Sequence, residues 1–298
     1  LKFKIKVPGT SANIGVGYDC LGVALDYYLE IEVTESETIE FVENGKEFSI
    51  PLDENLMFEA ANFTQKKLNK TIPNYRVNII RNDIPIARGL GSSSSAIVAG
   101  IMIVNRFLNN KLDRDSIAKL AVEMEGHPDN VVPAIFGGMV LAAHDKENLS
   151  YALLPNIENL FFYVMIPNSR LSTEKARSVL PKNYKVSDAI NNMSKLGLLV
   201  SRFYEKKYDD LRFLLGDRLH QPYRFKLINN SEKIFKITEE KGAIAEYISG
   251  AGPTLMALNY DNDNFLEAMK NELSKLPDEW SIEKKRINYE GAMSIDLI

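Results

Sequence analysis

The chain has 298 residues, of which 45% are apolar and 26% charged, and its formal net charge is −4. Such a composition is typical of a globular protein, and the acidic balance argues against general nucleic-acid binding, which needs a basic face. The most continuous apolar stretch, residues 131–143, is shorter than the about 20 residues that span a bilayer, and Cys20 is the single cysteine. We therefore expect a cytoplasmic protein without a membrane or nucleic-acid partner.

The first half of the chain mixes strand and helix patterns. Residues 2–7 alternate polar and apolar side chains, and apolar residues recur at every second position between Leu25 and Val33, which predicts two strands. Asn44-Gly45 is typical of a hairpin turn. A helix is expected from Asn55 and a further strand from Tyr75.

Two helices and a strand follow in the middle of the chain. The segment that begins at Ala96 is apolar on nearly all sides, which predicts a buried helix. A second helix is expected between Asp113 as its N-cap and Gly126 as its end. A loop and a short helix then lead to a strand over residues 138–145.

The second half has strands near residues 151 and 160–166, amphipathic helices over 173–241, and strands separated by a helix up to the end. This order lacks the regular alternation of a doubly wound sheet. We expect two α+β domains, residues 1–155 and 156–298.

The segment PIARGLGSSSSAIV, residues 85–98, is the most informative motif. It is not a GxGxxG motif, because Ser94 stands where the third glycine is needed, and no lysine makes it a P-loop. Gly89 and Gly91 leave backbone N–H groups unobstructed, and Ser92 to Ser95 add hydroxyl donors that can cap the following helix. A helix N-terminus beside such a loop favours an anion such as phosphate. The alternative is a flexible or merely capped turn.

Three motifs in order resemble the kinases of galactose, homoserine, mevalonate and phosphomevalonate, the GHMP superfamily. Residues 85–96 resemble the ATP loop, while PGTSANIGVGYDCLG (8–22) and ISGAGPTLMAL (248–258) resemble the first and third motifs. With EGHPDNVVPAIFGG (125–138), the first motif is most similar to the homoserine kinase branch. The resemblance implies a GHMP kinase fold, with an N-terminal domain like domain 2 of ribosomal protein S5 and a ferredoxin-like C-terminal domain.

The resemblance also implies ATP and Mg²⁺ as cofactors. Asn55 matches a position near the adenine, although it can equally serve only as a helix cap. Glu125 matches the Mg²⁺ carboxylate, with Ser93 or Ser94 adding a hydroxyl, and Glu123 and Asp129 are nearby alternatives. The residues expected to bind the nucleotide are Asn55, Pro85, Ile86, Ala87, Arg88, Gly89, Leu90, Gly91, Ser92, Ser93, Ser94 and Ser95.

The homoserine kinase branch transfers the ATP γ-phosphoryl group to the side-chain hydroxyl of L-homoserine, an early step towards threonine. By similarity, Arg177 and Arg224 bind the substrate carboxylate, since guanidinium groups bind carboxylates through paired hydrogen bonds. Asp19 matches the partner of the ammonium, and Asn130 the residue that orients the hydroxyl. The full substrate set is Asn13, Asp19, His127, Asn130, Thr173, Arg177, Arg224 and Gly252, with Asn13 and His127 as neutral hydrogen-bonding neighbours.

The catalytic set implied by the resemblance is Asn130, Ser93 and Glu125. Mevalonate-kinase-like relatives have an aspartate where this chain has Asn130, and an amide has no usable proton affinity. Pairing with an ammonium would stabilise the charged carboxylate of Asp19, so it is no convincing base either. We therefore expect catalysis by positioning and charge neutralisation.

Two alternatives remain open at this point. One is another GHMP kinase with a mevalonate-type substrate, and the other is a non-catalytic sensor that keeps the ATP loop. Arg177, Arg224 and Asp19 together suit an amino acid better than a neutral sugar. Members of the superfamily commonly form homodimers, so a homodimer is compatible with the resemblance, and no segment indicates its interface. His144 and His220 are expected to be structural.

Overall fold

The computed structural model describes residues 1–48 and 50–297. In this part of the chain the strands are β1 (Lys2–Ala12), β2 (Leu21–Glu35), β3 (Glu40–Glu43), β4 (Lys46–Glu47), β5 (Tyr75–Asn82), β6 (Met139–His144), β7 (Leu149–Leu153), β8 (Phe161–Pro167), β9 (Ala245–Ile248), β10 (Leu255–Asn259), β11 (Trp280–Lys285) and β12 (Met293–Asp296). The α-helices are α1 (Leu56–Leu68), α2 (Ser92–Phe107), α3 (Arg114–Glu125), α4 (Pro128–Phe136), α5 (Thr173–Ser178), α6 (Val186–Glu205), α7 (Leu211–Leu214), α8 (Gln221–Arg224), α9 (Ser231–Glu240) and α10 (Asp263–Leu273).

The first sheet is built on the long antiparallel pair β1 and β2. Its order is β12-β1-β2-β5-β3-β4, with β6 paired to β2 and β7 paired to β6. The register between β1 and β2 shifts at Pro8 and Gly9, just before the chain enters the loop that follows β1. Asn44 and Gly45, with φ of 49° and 80°, form the turn between β3 and β4, so the predicted hairpin is confirmed.

Helices α1 to α4 cover the first sheet, and α2 is the most deeply buried of them. Gly100 lets α1 and α2 pack closely, because a Cβ there would lie 2.3 Å from the Met57 carbonyl oxygen. The prediction of a buried helix is thus confirmed. The predicted ends of α3 are also confirmed, since the Asp113 side chain accepts a hydrogen bond from the Ser116 N–H at 2.8 Å and Gly126 adopts a φ of 87°.

The second sheet has the order β11-β8-β10-β9, and all its neighbouring strands are antiparallel. Along the chain, β8 leads through helices to the β9–β10 hairpin, and α10 connects β10 to β11. This βαββαβ arrangement, with the fourth strand beside the first, is the ferredoxin-like topology that the resemblance implied.

The last strand crosses back to the first sheet. Although β12 lies in the second of the two expected domains, it pairs with β1, with Phe3 opposite Asp296. The expected boundary after residue 155 lies between β7 and β8, where the chain passes from one sheet to the other, and it stays a prediction. Over residues 1–48 and 50–297, no helix is long and apolar enough to cross a bilayer.

Candidate active site

A cavity lies where the loop after β1, the loop before α2 and the turn before β10 meet. Most of the residues predicted from the sequence line it, whereas Ile86 and Asn55 line an adjoining apolar cavity and Ser95 lines neither. The predicted residues that the structure brings together are Asn13, Asp19, Pro85, Ala87, Arg88, Gly89, Leu90, Gly91, Ser92, Ser93, Ser94, Glu125, His127, Asn130, Thr173, Arg177, Arg224 and Gly252.

Two glycines shape the loop before α2. Gly89 and Gly91 have φ of 74° and 72°, a region that side chains disfavour. A Cβ on Gly89 would lie 2.3 Å from the Ser249 carbonyl oxygen, and one on Gly91 would lie 2.0 Å from Thr10 Oγ1. The Ser249 hydroxyl also donates a hydrogen bond to the Gly89 carbonyl oxygen at 2.5 Å. The loop is therefore packed against the third motif as well as the first.

The serines of this loop do not cap α2, so that part of the prediction is wrong. Gly91 is the N-cap, and no side chain of the described residues caps the helix. The Ser94 hydroxyl donates to Glu125 at 2.9 Å, and Ser95 donates to the Pro8 and Gly91 carbonyl oxygens. Because the hydroxyls have these partners, the first-turn amides of α2 remain free of side-chain caps at the cavity.

Glu125 is the carboxylate that faces these serines. Its Oε1 accepts the Ser94 bond, and Ser93 Oγ lies 3.4 Å from its Oε2. Glu123 is exposed and pairs with Lys67 outside the cavity. Asp129 is buried and bonded to His127. Of the three carboxylates considered from the sequence, Glu125 therefore combines with hydroxyl groups to make an oxygen donor set of the kind that Mg²⁺ prefers.

Asp19 and Arg177 form a bidentate ion pair across the cavity. Arg177 Nη2 donates to Asp19 Oδ1 at 2.8 Å, and Nη1 donates to Oδ2 at 3.0 Å and to the Tyr18 hydroxyl at 2.9 Å. Asn13 holds the loop, because its Oδ1 accepts the Asp19 backbone N–H at 2.8 Å. Asp19 itself has a φ of 55°.

Arg224 is 1% exposed and is held by buried acceptors. Its Nη1 donates to the Gly250 carbonyl oxygen at 2.9 Å and to His220 Nδ1 at 3.2 Å. The other ring nitrogen of His220 donates to the Gly15 carbonyl oxygen at 2.8 Å. Burial lowers the pKa of His220, which favours the neutral ring that can accept from Arg224. The histidine that we expected to be structural thus orients a site arginine.

The start of α4 presents His127 and Asn130. His127 Nδ1 donates to Asp129 Oδ1 at 2.7 Å. Burial lowers the pKa of His127, but the hydrogen bond and charge of Asp129 outweigh it, so that the pKa is raised overall. The ring therefore favours protonation more than a free imidazole, whereas the sequence led us to expect a neutral neighbour. Thr10 Oγ1 donates to Asn130 Oδ1 at 2.8 Å, which leaves the Nδ2 group of Asn130 as a donor.

Sequence reasoning missed the supporting roles of several residues, although Asp129 was considered as a metal ligand and His220 as a structural residue. Most of them carried a signal. His220 precedes Arg224 by four positions, a spacing that places both on one side of a helical segment. Asp129 lies inside the 125–138 motif, two positions after His127. The others lie in the first and third motifs, and the missed set is Thr10, Tyr18, Asp129, His220 and Ser249.

The comparisons with known proteins agree with this geometry. Residues 55–138 match the model of the GHMP kinases N terminal domain, and residues 188–275 match that of the GHMP kinases C terminal domain. A homoserine kinase of Clostridium novyi is 44% identical over 291 residues, which are 97% of each chain. A homoserine kinase of Clostridium kluyveri is 41% identical over 99% of each chain.

The chain belongs to the homoserine kinases of the GHMP kinase family. The crystal structure of homoserine kinase from Cytophaga hutchinsonii has a TM-score of 0.87 at 26% identity, with 99% of this chain and 97% of that chain covered. The mevalonate kinase of Methanococcus jannaschii shares the fold with a TM-score of 0.70 at 20% identity, with 96% of this chain and 98% of that chain covered. The two-domain GHMP kinase fold of this homoserine kinase family member is therefore confirmed.

Proposed function

We propose that this chain transfers the γ-phosphoryl group of ATP to the side-chain hydroxyl of L-homoserine, giving O-phospho-L-homoserine in threonine biosynthesis. The observation that carries the proposal is one cavity in which the amino end of α2 and its glycine loop lie opposite Asp19, Arg177 and Arg224. Backbone amides at a helix N-terminus suit phosphate, and the three charges suit an amino-acid zwitterion. The acidic chain with its single cysteine supports a cytoplasmic location.

The adjoining apolar cavity is the proposed site of the adenine. Asn55 caps α1 with its Oδ1, which accepts from the Met57 and Phe58 N–H groups at 3.0 and 3.3 Å. Its Nδ2 is buried and has no partner among the described residues, although an amide normally satisfies such a donor. One side chain thus supports both roles considered from the sequence, capping through oxygen and base recognition through nitrogen.

Glu125 is the residue proposed to hold Mg²⁺, and Ser93 Oγ would be a further ligand. Ser93 is exposed and its contact with Glu125 is long, so its hydroxyl is free to turn towards an ion, while Ser94 fixes the carboxylate. When bound, the ion neutralises charge on the phosphates. We expect Glu125→Gln to raise the Mg²⁺ concentration for half-maximal rate about tenfold. Glu123→Gln, whose carboxylate lies outside the cavity, is the matched control and should leave it unchanged.

The protein's own part in the reaction is alignment. Asn130 Nδ2 is proposed to donate to the acceptor hydroxyl, and this is supported by the bond from Thr10 to the other side of the amide. A bond then forms from that oxygen to the γ-phosphorus while the bond to the oxygen bridging to the β-phosphate breaks and ADP leaves. The hydroxyl proton leaves late and passes to an oxygen of the transferred phosphoryl group. The amides of α2 stabilise charge on the transferring group.

Measurement of ADP release with homoserine, serine, threonine, mevalonate and galactose, each at saturation, tests the function. We expect turnover with homoserine alone. Turnover with mevalonate would instead support a mevalonate-type kinase. Tight ATP binding without turnover on any acceptor would support the non-catalytic sensor.

We further propose that the chain forms a homodimer through α6. Along this helix Val186, Ile190, Met193 and Tyr204 repeat on one side and are 76%, 55%, 67% and 58% exposed. A Cβ on Gly197, on the same side, would meet nothing within 4 Å. Folding of one chain therefore does not explain a glycine there, whereas close approach of a second helix does.

A second copy of the chain fits this stripe better than an unrelated partner. If two copies of α6 cross antiparallel at Gly197, Ile190 of each lies beside Tyr204 of the other, as a twofold axis requires.

The mass in solution tests this interface. We expect a dimer by light scattering for the wild type and a monomer for Met193→Glu. Leu153→Glu, which changes an apolar side chain of β7 that is 49% exposed, should remain dimeric. A wild-type monomer, or a dimer that only Leu153→Glu dissociates, would contradict the α6 interface.

A further inference from the structure

The Asp19–Arg177 ion pair joins two groups whose proposed partners are the two opposite charges on the α-carbon of the substrate. Asp19 lies on the loop between β1 and β2, and Arg177 lies on α5 in the second half of the chain. Two parallel hydrogen bonds of 2.8 and 3.0 Å make the pair. Without substrate, Arg177 therefore takes the place of the substrate ammonium at Asp19, and Asp19 takes the place of the substrate carboxylate at Arg177.

The surroundings show that this pair is built into the site. Tyr18 accepts a hydrogen bond from Arg177, and its ring lies 5.2 Å from the guanidinium carbon of Arg224 and 5.2 Å from the His220 ring centroid. Asp19 is held in the left-handed region with its N–H on Asn13. The two charged side chains are still 31% and 38% exposed, so a ligand can reach them.

We propose that this ion pair is a charge-exchange filter that selects acceptors carrying both an ammonium and a carboxylate. The inference rests on the proposed function and deepens its specificity. A zwitterion brings a carboxylate for Arg177 and an ammonium for Asp19, so both protein charges keep a partner when their mutual bonds open. An acceptor with only a carboxylate can bind Arg177 only by depriving Asp19 of its bonded guanidinium, and an acceptor with only an ammonium deprives Arg177 of its bonded carboxylate.

The filter differs from simple recognition of each charge. If Asp19 did nothing but bind an ammonium, its removal would not change the rate for an acceptor without one. In the filter, Asp19 actively competes for Arg177, so removal of its charge frees Arg177 for a carboxylate. Loss of the Asp19 charge should therefore raise kcat/KM for an acceptor that has only a carboxylate and lower kcat/KM for a zwitterionic acceptor.

The experiment compares homoserine with 4-hydroxybutyrate, which has the same length, hydroxyl and carboxylate but no ammonium. With saturating ATP and Mg²⁺, we expect Asp19→Asn to lower kcat/KM for homoserine about a hundredfold and to raise it for 4-hydroxybutyrate about tenfold above the wild type. An unchanged or lower rate with 4-hydroxybutyrate would overturn the filter.

A mirror experiment covers the case in which Asp19→Asn fails to fold. Arg177→Gln should raise kcat/KM for 3-amino-1-propanol, which is homoserine without its carboxylate, and lower it for homoserine. Glu43→Gln removes one exposed charge from β3 and is the control. It should leave kcat/KM unchanged for homoserine, 4-hydroxybutyrate and 3-amino-1-propanol. No turnover of homoserine by the wild type would overturn the proposed function together with this inference. If the wild type turns over homoserine but neither variant gains kcat/KM for its one-charge acceptor, the filter alone is overturned.

Discussion

The two sides of the active site are built differently. On the proposed nucleotide side the main chain makes the site, since left-handed glycines and contacts with Thr10 and Ser249 fix the loop before α2. On the acceptor side, charged side chains make the site, and two of them, Asp19 and Arg177, bond to each other. A fixed backbone suits a phosphate chain of constant shape, whereas exchangeable side chains suit discrimination among small acceptors.

The largest expected effect tests whether the nucleotide side is as rigid as its contacts indicate. In Gly89→Ala the new Cβ would overlap the Ser249 and Gly252 carbonyl oxygens, at 2.3 and 2.9 Å, and the backbone would be strained at a φ of 74°. We expect kcat/KM for ATP to fall about a thousandfold, because the phosphate amides are displaced. Steady-state kinetics at varied ATP measure it.

Gly45→Ala is the matched control for that substitution. Gly45 also has a positive φ, of 80°, but a Cβ there meets nothing within 4 Å. It should lower the free energy of unfolding by about 1 kcal/mol and leave the kinetics unchanged. Similar activities of the Gly89 and Gly45 variants would show that the loop before α2 adapts, and that the nucleotide side is less rigid than its contacts indicate.

The second effect separates the acceptor side from the nucleotide side. Arg224→Leu removes the buried guanidinium, so the substrate carboxylate loses a partner and KM for homoserine should rise about a hundredfold. KM for ATP should change less than about threefold. Equal losses for both substrates would mean that Arg224 does not belong to the acceptor side.

A smaller effect concerns the support of His127. Asp129→Asn replaces the buried acceptor of the His127 Nδ1 proton, so the ring loses its fixed orientation. We expect kcat/KM for homoserine to fall about tenfold with KM for ATP unchanged. Asp129→Glu should restore part of the loss. If both variants lower the rate and the melting temperature in parallel, the carboxylate serves only folding.

The smallest effect is a pH dependence on the acceptor side. Because burial lowers the pKa of His220 below its unfolded value of about 6.5, the neutral ring contributes stability in full above that pH. The contribution is lost as the pH falls towards the lowered pKa, since protonation turns Nδ1 from the acceptor of Arg224 into a donor. KM for homoserine should rise about twofold between about pH 7 and pH 5.5, and His220→Gln should flatten this rise. An equal rise in that variant would assign the effect to another group.

The sequence allowed the prediction of most local elements, because their signals are local. The Asn44-Gly45 turn, the Asp113 and Gly126 ends of α3 and the apolar α2 each follow from a few adjacent residues. The three motifs also predicted most residues that line the cavity.

Features that depend on distant pairings were not predictable in this way. The serines at the start of α2 have the sequence of a cap, but the hydroxyls of Ser94 and Ser95 bond to Glu125 and to the Pro8 carbonyl oxygen, which lie far away in the chain. The Asp19–Arg177 bonds join positions 158 residues apart. Likewise, no local pattern shows that β12 returns to β1.

The contact between Ser249 and Gly89 has a consequence for turnover. The Ser249 hydroxyl donates to the Gly89 carbonyl oxygen, and the Gly250 N–H donates to the Ala12 carbonyl oxygen. The turn before β10 is therefore hydrogen-bonded to the loop before α2 and to the end of β1. A wide hinge opening would break all these bonds at once. We therefore expect ADP to leave past Ile86, which is 50% exposed and lines the adjoining apolar cavity, and local side-chain movement rather than separation of the two halves to limit the rate of turnover.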